Sequence, residues 1–321
     1  MEYWWYFFDR MMRHVEKKFI CMVLAIALAL SLKGCGGEVS SHPSSADPES
    51  RYEIPEMKTA SFHPESAEGN DAVSIDLSCI QEGYIATHVE ADAKVKLQVL
   101  KDEETYTYTV QMGRDEIFPL QCGNGDYIFR FMKNVEDNKY IEIYRCEANV
   151  VLENDFDPFL RPNQYADFYD GRTCVDVARS LAEEASSDVD FVGKVYQYVC
   201  KSIKYDDDKA QDAVDGKLKG YVPDPDRTLE QKRGICFDYA CLAASMLRSQ
   251  GIPTKIIFGY VAPDDLYHAW NMFYTEEGGW VTVKFEAPTD EWTRIDLTFS
   301  ANGASNKFIG DGDNYLDVYQ F

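Results

Sequence analysis

The sequence predicts two folded parts, an antiparallel β-sandwich followed by a domain that mixes helices with strands. Three observations predict it. Between residues 72 and 152 apolar side chains recur at every second position, the period of a half-buried strand. Beyond residue 170 the spacing lengthens to three and four, the period of an amphipathic helix. At 321 residues the chain exceeds the ~100–150 residues of a common domain, so two domains with linkers are expected. The hydrophobic share of 45% with 14% aromatics supplies the apolar surface that two cores need.

Taken in chain order, the first element is a run of 14 uncharged residues from Phe19 to Leu32. It is shorter than the ~20 apolar residues of a spanning helix. Arg13, Lys17 and Lys18 precede it, and Leu32-Lys33-Gly34-Cys35-Gly36 follows. This arrangement resembles a bacterial lipoprotein signal with its lipobox, which implies cleavage before Cys35, a lipid on Cys35, and an anchor on the extracytoplasmic face of the cell membrane. An uncleaved anchor and an ordinary secretory signal are the alternatives. The aromatic stretch from Met1 to Arg10 precedes Met11 and Met12, either of which makes a more ordinary start.

Removing residues 1–34 takes away five basic groups (Arg10, Arg13, Lys17, Lys18, Lys33) and three acidic ones (Glu2, Asp9, Glu16), moving the charge from −23 to −25. So acidic a chain has little from which to build a basic face, and a nucleic-acid partner is not expected. Seven cysteines follow Cys35, at 79, 122, 146, 174, 200, 236 and 241, with no C-x-x-C among them. Neither a zinc site nor a disulfide framework is indicated, and an odd number leaves at least one free thiol.

Residues 35–70 read as a flexible tether, because nine of the fifteen residues from Gly36 to Ser50 are Gly, Ser or Pro. Residues 71–153 are the predicted sandwich. Val95, Leu97 and Val99 alternate with Lys96 and Gln98, and Tyr106, Tyr108 and Val110 alternate with threonines. Asn124-Gly125 and Asp137-Asn138 read as hairpin turns. This part carries no recognisable chemistry and reads as a spacer or docking module. A connector, residues 154–170, leads into the second domain, residues 171–321.

There Val192, Val195, Val199 and Ile203 predict a helix behind the N-cap candidates Ser186 and Ser187. The polar stretch from Lys204 to Asp226 reads as solvated loops. Neither it nor Asp311-Gly-Asp313-Asn314 has the complete ligand spacing of a calcium loop, and no metal or cofactor is expected.

The chemistry concentrates in Arg233-Gly-Ile-Cys-Phe-Asp-Tyr-Ala and the residues that follow it. Cys236, Ala240, Ala243, Ala244 and Leu247 form one helical face, ended by Gly251 and Pro253. Cys236 thus falls in the first turn, where free backbone N–H groups and the helix dipole stabilise a thiolate and can face an oxyanion. Of the five histidines, 14, 42, 63, 88 and 268, His268 alone belongs to the same domain. It opens the strand-like run His268-Ala-Trp-Asn-Met-Phe-Tyr274, which places His268, Trp270 and Met272 on one face. A third group should orient the imidazole. Asp296, flanked by Ile295 and Leu297, is the best candidate, because an acid among apolar neighbours needs a partner. Asp290 and Glu286 are alternatives in a more polar stretch.

Gly-Ile-Cys-Phe-Asp-Tyr-Ala, Gly-Ile-Pro-Thr-Lys leading to Gly259-Tyr260, His-Ala-Trp-Asn, and Trp-x3-Asp-x-Thr-Phe occur in that order, with 32 residues from Cys236 to His268 and 28 more to Asp296. Together they resemble the core of the transglutaminase-like superfamily over about residues 171–300. Tyr205-Asp206 and Pro223-Asp-Pro-Asp226 match its bacterial members as well. The resemblance implies an α+β, papain-like core with a catalytic triad of Cys236, His268 and Asp296. It implies no calcium, since the accessory domains of the animal enzymes are not matched. Those enzymes use a tryptophan upstream of the cysteine at the oxyanion; here that role is unfilled or falls to another residue, with Tyr205 a candidate. The expected activity is attack of a thiolate on a peptide or protein amide, giving an acyl-enzyme thioester resolved by water or an amine. The alternative is a surface-binding lipoprotein that keeps the fold without catalysis.

Overall fold

The structure, a computed structural model, describes residues 51–261, 266–275, 279–282, 284–285, 293–294 and 315–321. Cys35, Glu286, Asp290 and Asp296 lie outside the described residues, as do the signal segment and the first part of the tether.

The period-two region folds as two four-stranded antiparallel sheets. One has the order β1-β2-β3-β6, from β1 (Ala67–Gly69), β2 (Val73–Asp76), β3 (Tyr84–Val89) and β6 (Asp115–Pro119). The other has the order β5-β4-β7-β8, from β4 (Val95–Lys101), β5 (Glu104–Thr109), β7 (Gly125–Glu136) and β8 (Lys139–Val150). The alternation is obeyed: Val95, Leu97 and Val99 are buried, while Lys96 and Gln98 stay partly in solvent. Asp137 and Asn138 turn the β7–β8 hairpin, with Asp137 in the left-handed region (φ 44°) that a short polar side chain tolerates. Asn124-Gly125 is not a hairpin turn. The strands on either side, β6 and β7, belong to different sheets, so the segment carries the chain between layers. The Asn124 side chain accepts a hydrogen bond from the Leu152 N–H at 2.8 Å.

Five helices follow: α1 (Thr173–Glu183), α2 (Asp188–Ser202), α3 (Asp207–Val214), α4 (Pro225–Gln231) and α5 (Cys236–Ser249). Ser187 caps α2, its side chain accepting from the Asp190 N–H. Ser187→Ala removes an acceptor at the first turn and should lower folding stability by about 1 kcal/mol, read as a shifted urea midpoint with an unchanged slope. The polar stretch 204–226 is not simply loop. It forms α3 and leads into α4, both short and acid-rich, and their ends are fastened by side chains. Asp226 accepts from the backbone N–H groups of Thr173 and Cys174, at 3.0 and 2.9 Å, and so caps α1 from another segment. Arg172, itself buried, gathers Asp167, Asp224 and Asp226 around that end.

Helix α5 packs against a sheet of order β13-β12-β11-β16, from β11 (Thr254–Val261), β12 (Leu266–Thr275), β13 (Gly279–Thr282) and β16 (Tyr315–Gln320), all antiparallel, and α1, α2 and α4 pack against α5. Two short pairings stand apart from it as two-stranded sheets, the parallel β9 (Lys204–Tyr205) with β10 (Arg233–Gly234), and the antiparallel β14 (Lys284–Phe285) with β15 (Thr293–Arg294). The chain is therefore α+β, a β-sandwich ahead of a mixed core.

The two parts share one apolar interior, and residues 49–321 form one compact unit. The Phe321 ring makes edge contacts with Tyr106 and Tyr108 from the sandwich and with Tyr165 and Phe258 from the other side, at centroid distances of 4.9–5.7 Å. Arg248, fully buried at the end of α5, donates to three backbone carbonyls: Thr254 at 2.8 Å, Arg161 at 3.0 Å and Phe321 at 2.9 Å. Among the described residues no helix is long and apolar enough to cross a membrane.

Candidate active site

Cys236 is the first residue of α5, as its spacing predicts, and is partly accessible. Helix formation begins with the Tyr239 N–H donating to the Ile235 carbonyl at 3.1 Å. The N–H groups of Cys236, Phe237 and Asp238 thus lie ahead of the helical ladder, where an anion beside the sulfur could meet them.

The turn before the helix is built for close approach. Gly234 of β10 pairs in parallel with Tyr205 of β9, which puts the candidate oxyanion residue beside the chain two positions before the thiol. A Cβ on Gly234 would lie 2.6 Å from the Asp238 Cβ, so this position takes glycine for want of space. Asp238 is 1% exposed and accepts the Ile235 N–H at 2.7 Å, an acid in the first turn satisfying the N-cap donor.

His268 lies in β12, buried, directly opposite Gly259 of β11. Alternation gives it the face it shares with Trp270 and Met272, as predicted. A Cβ on Gly259 would stand 2.7 Å from the Trp270 ring, so glycine opens the space that this ring covers next to His268. The other face of β12 meets α5. Asn271 donates to the Ala240 carbonyl at 3.0 Å. Phe237 packs edge-on against Phe258, at 4.9 Å, and Phe258 is the strand partner of Ala269.

These two anchors set the register between helix and strand. One turn back from Ala240 is Cys236, and three residues back from Asn271 is His268. The thiol and the imidazole therefore lie at the same end of the α5–β12 pair. His268 stands on the face of β12 opposite Asn271, and among the described residues no hydrogen bond joins its ring to Cys236. β13 pairs with β12 from Met272 to Thr275, beyond the His268 end. Asp296 lies outside the described residues.

All seven described cysteines are free thiols, and burial separates them. Cys241 is fully buried, and burial, then the charge of Asp238, push its thiol well above the ordinary range. Burial likewise raises Cys174, and it raises Cys122 to about 11 and Cys146 to about 12, the last two helped by Glu104 and Glu68. Among the described residues no group of three His, Cys, Asp or Glu side chains is placed to hold a metal ion.

The sequence reading missed the partners that fix this helix start. Lys209 and Tyr221 reach Asp238 from a stretch read as solvated loops, and Asn271 was noticed within its motif without a role. Short acid-rich helices give little periodic signal, and a contact spanning 29 residues gives none.

The family model described as the transglutaminase-like superfamily matches residues 175–285, a span that includes Cys236 and His268 and ends before Asp296. An uncharacterized protein of Mycobacterium leprae (strain TN) is 32% identical over 100 residues, 28% of this chain and 31% of that protein. The chain thus spans under a third of the length of the curated relative it matches. A candidate cysteine protease from Cytophaga hutchinsonii is similar in structure over 74% of this chain and 83% of its own, at 14% identity and a TM-score of 0.36. A structure described as a TGase covers 53% of this chain and 43% of its own, at 19% identity and a TM-score of 0.30. Over residues 175–285 this chain is similar to the transglutaminase-like superfamily, with Cys236 at the head of the buried helix in that span.

Proposed function

We propose that the chain is a cysteine hydrolase or acyltransferase acting on peptide or protein amides, anchored to the extracytoplasmic face of the cell membrane by a lipid on Cys35. The observation that carries the catalytic reading is the placement of Cys236 at the N-terminus of α5, at the same end of the helix–strand pair as His268. The anchor rests on the signal-like segment before Cys35.

In this mechanism the Cys236 thiolate attacks the amide carbonyl carbon, and the oxyanion forms against the N–H groups at the head of α5. The C–N bond then breaks, and the amine leaves with a proton from the His268 imidazolium. Water or a second amine gives a proton to His268 and attacks the thioester, which restores the thiol. Asp296 accepts from the far ring nitrogen of His268 and supports its imidazolium form. Sulfur and imidazole must come within hydrogen-bond reach for these transfers, which such pairs commonly achieve only with substrate bound. A non-catalytic surface-binding lipoprotein is the competing reading, since a fold hosts both active and silent sites.

An acyl electrophile probe decides between them. Cys236 should be the thiol labelled at neutral pH, and His268→Ala should lower its labelling at least 100-fold while buried Cys241 stays unlabelled in both proteins. Labelling of Cys236 that is unaffected by His268→Ala would favour the binding protein. Amine incorporation, measured against ammonia or peptide release from a glutamine-containing peptide, separates transfer from hydrolysis.

A further inference from the structure

Beneath the head of α5 lies a polar cluster, built on the buried Asp238 and the half-buried Lys209 and Tyr221, that the triad does not use. The Asp238 carboxylate accepts from the Lys209 ammonium through both oxygens, at 2.9 and 2.7 Å, as well as from the Tyr221 hydroxyl and the Ile235 N–H. Lys209 also donates to the Tyr221 hydroxyl at 2.7 Å and sits 4.1 Å from the centre of its ring. Lys209 itself is brought there by α3, whose N-cap Asp206 accepts both the Lys209 N–H and the Arg233 side chain, while the Asp206 N–H donates to the Gly234 carbonyl. Burial and the Asp238 charge keep the Tyr221 phenol protonated, as a donor. Among the described residues, the further charged or titratable neighbours are the buried thiol Cys241, the Tyr239 phenol, and Arg227 acting on Tyr221.

This cluster does two things to a thiol two residues from Asp238. It fixes the turn from Gly234 to Asp238 on which Cys236 rides, and it balances the one carboxylate charge buried in that turn. We propose that Asp238 is the positioning residue for Cys236 and that Lys209 maintains the reactivity of the thiol by neutralising that carboxylate. The proposal rests on Cys236 being the nucleophile, and it adds a residue from α3 to the machinery that prepares it.

The test is the second-order rate of iodoacetamide alkylation at Cys236 in the full chain at pH 7, read by mass spectrometry of the Cys236 peptide, with thermal midpoints measured alongside. Lys209→Met should slow alkylation about tenfold, because it leaves an uncompensated carboxylate in the turn that carries the thiol. Lys209→Arg should stay within about threefold of the unchanged protein. Asp238→Asn keeps the acceptor for Ile235 and removes the charge, so it should alkylate at least as fast as the unchanged protein despite a lower midpoint. A purely structural cluster predicts the opposite, slower alkylation in Asp238→Asn as well, and that result overturns the proposal. So does an unchanged rate in a folded Lys209→Met protein. If Lys209→Met fails to fold, Asp238→Asn against the unchanged protein decides alone. The ratio between variants tests this proposal, whereas the absolute rate in the unchanged protein, set against that of an ordinary thiol, tests the catalytic reading.

Discussion

Arg248→Ala should cost about 3–5 kcal/mol of folding stability, one of the largest effects expected of a single substitution here. The side chain is fully buried, and its guanidinium meets three backbone carbonyls in place of a carboxylate. Burial disfavours its charge, and three acceptors in the fork geometry of arginine offset that cost. Alanine would leave the carbonyls of Arg161, Thr254 and Phe321 without this donor, each buried acceptor costing about 1–3 kcal/mol, beside a large void. Arg248→Lys keeps the charge but has no planar fork, and should recover less than half of the loss. Urea unfolding followed by tryptophan fluorescence measures both. A loss below about 1 kcal/mol for the alanine variant would mean that the three carbonyls find other partners, and the stability assigned to the Arg248 hydrogen bonds would be wrong.

Gly259→Ala is the second. A Cβ there would lie 2.0 Å from the Leu316 carbonyl oxygen, which is backbone, and 2.7 Å from the Trp270 ring. Neither the β11–β16 pairing nor the ring beside His268 can stay in place, and no rotamer change relieves a clash with backbone. The expected loss is about 2–4 kcal/mol, or a midpoint lower by about 5–10 °C for a unit of this size. Leu316→Ala serves as the control: its exposed side chain can be removed without touching the carbonyl, so the midpoint should hardly move. Thiol alkylation reports separately on the site. If Gly259→Ala shifts β12 as well as β16, the reactivity of Cys236 should fall beyond what partial unfolding explains. A Gly259→Ala protein with an unchanged midpoint would show that β16 can withdraw from β11 at no cost.

Much of the fold was legible because its periods are clean. Val95, Leu97 and Val99 could only be one face of a strand, and Val192, Val195 and Val199 could only be one face of a helix. Cys236 at the start of α5 was legible for the same reason, with Gly251 marking the other end. What stayed hidden depends on which segments meet. Asn124-Gly125 has turn chemistry, but whether a turn makes a hairpin depends on which sheet the next strand joins. Arg248 at the end of a helix looks like an ordinary dipole partner, and nothing local announces that three distant carbonyls surround it. Asp238 sat within a quoted motif, yet its role needs Lys209 and Tyr221. His268 was found by elimination, and its register against Cys236 comes from Asn271 and the pairing of Phe237 with Phe258.

The outer strand of the sandwich bears on a different matter, self-association. β8 ends its sheet with twelve residues paired on one side only, a length that would template another strand if it were bare. Along it stand Glu142, paired with Arg130 at 2.7 Å, and Arg145, paired with Glu147 at 2.6 Å, all in contact with water. A second copy adding its own β8 edge to edge would have to bring these charges together and strip their hydration before gaining a backbone hydrogen bond. Copies held at high local concentration would thus meet through surfaces that resist fusing into a continuous sheet, and crowding need not lead to fibres.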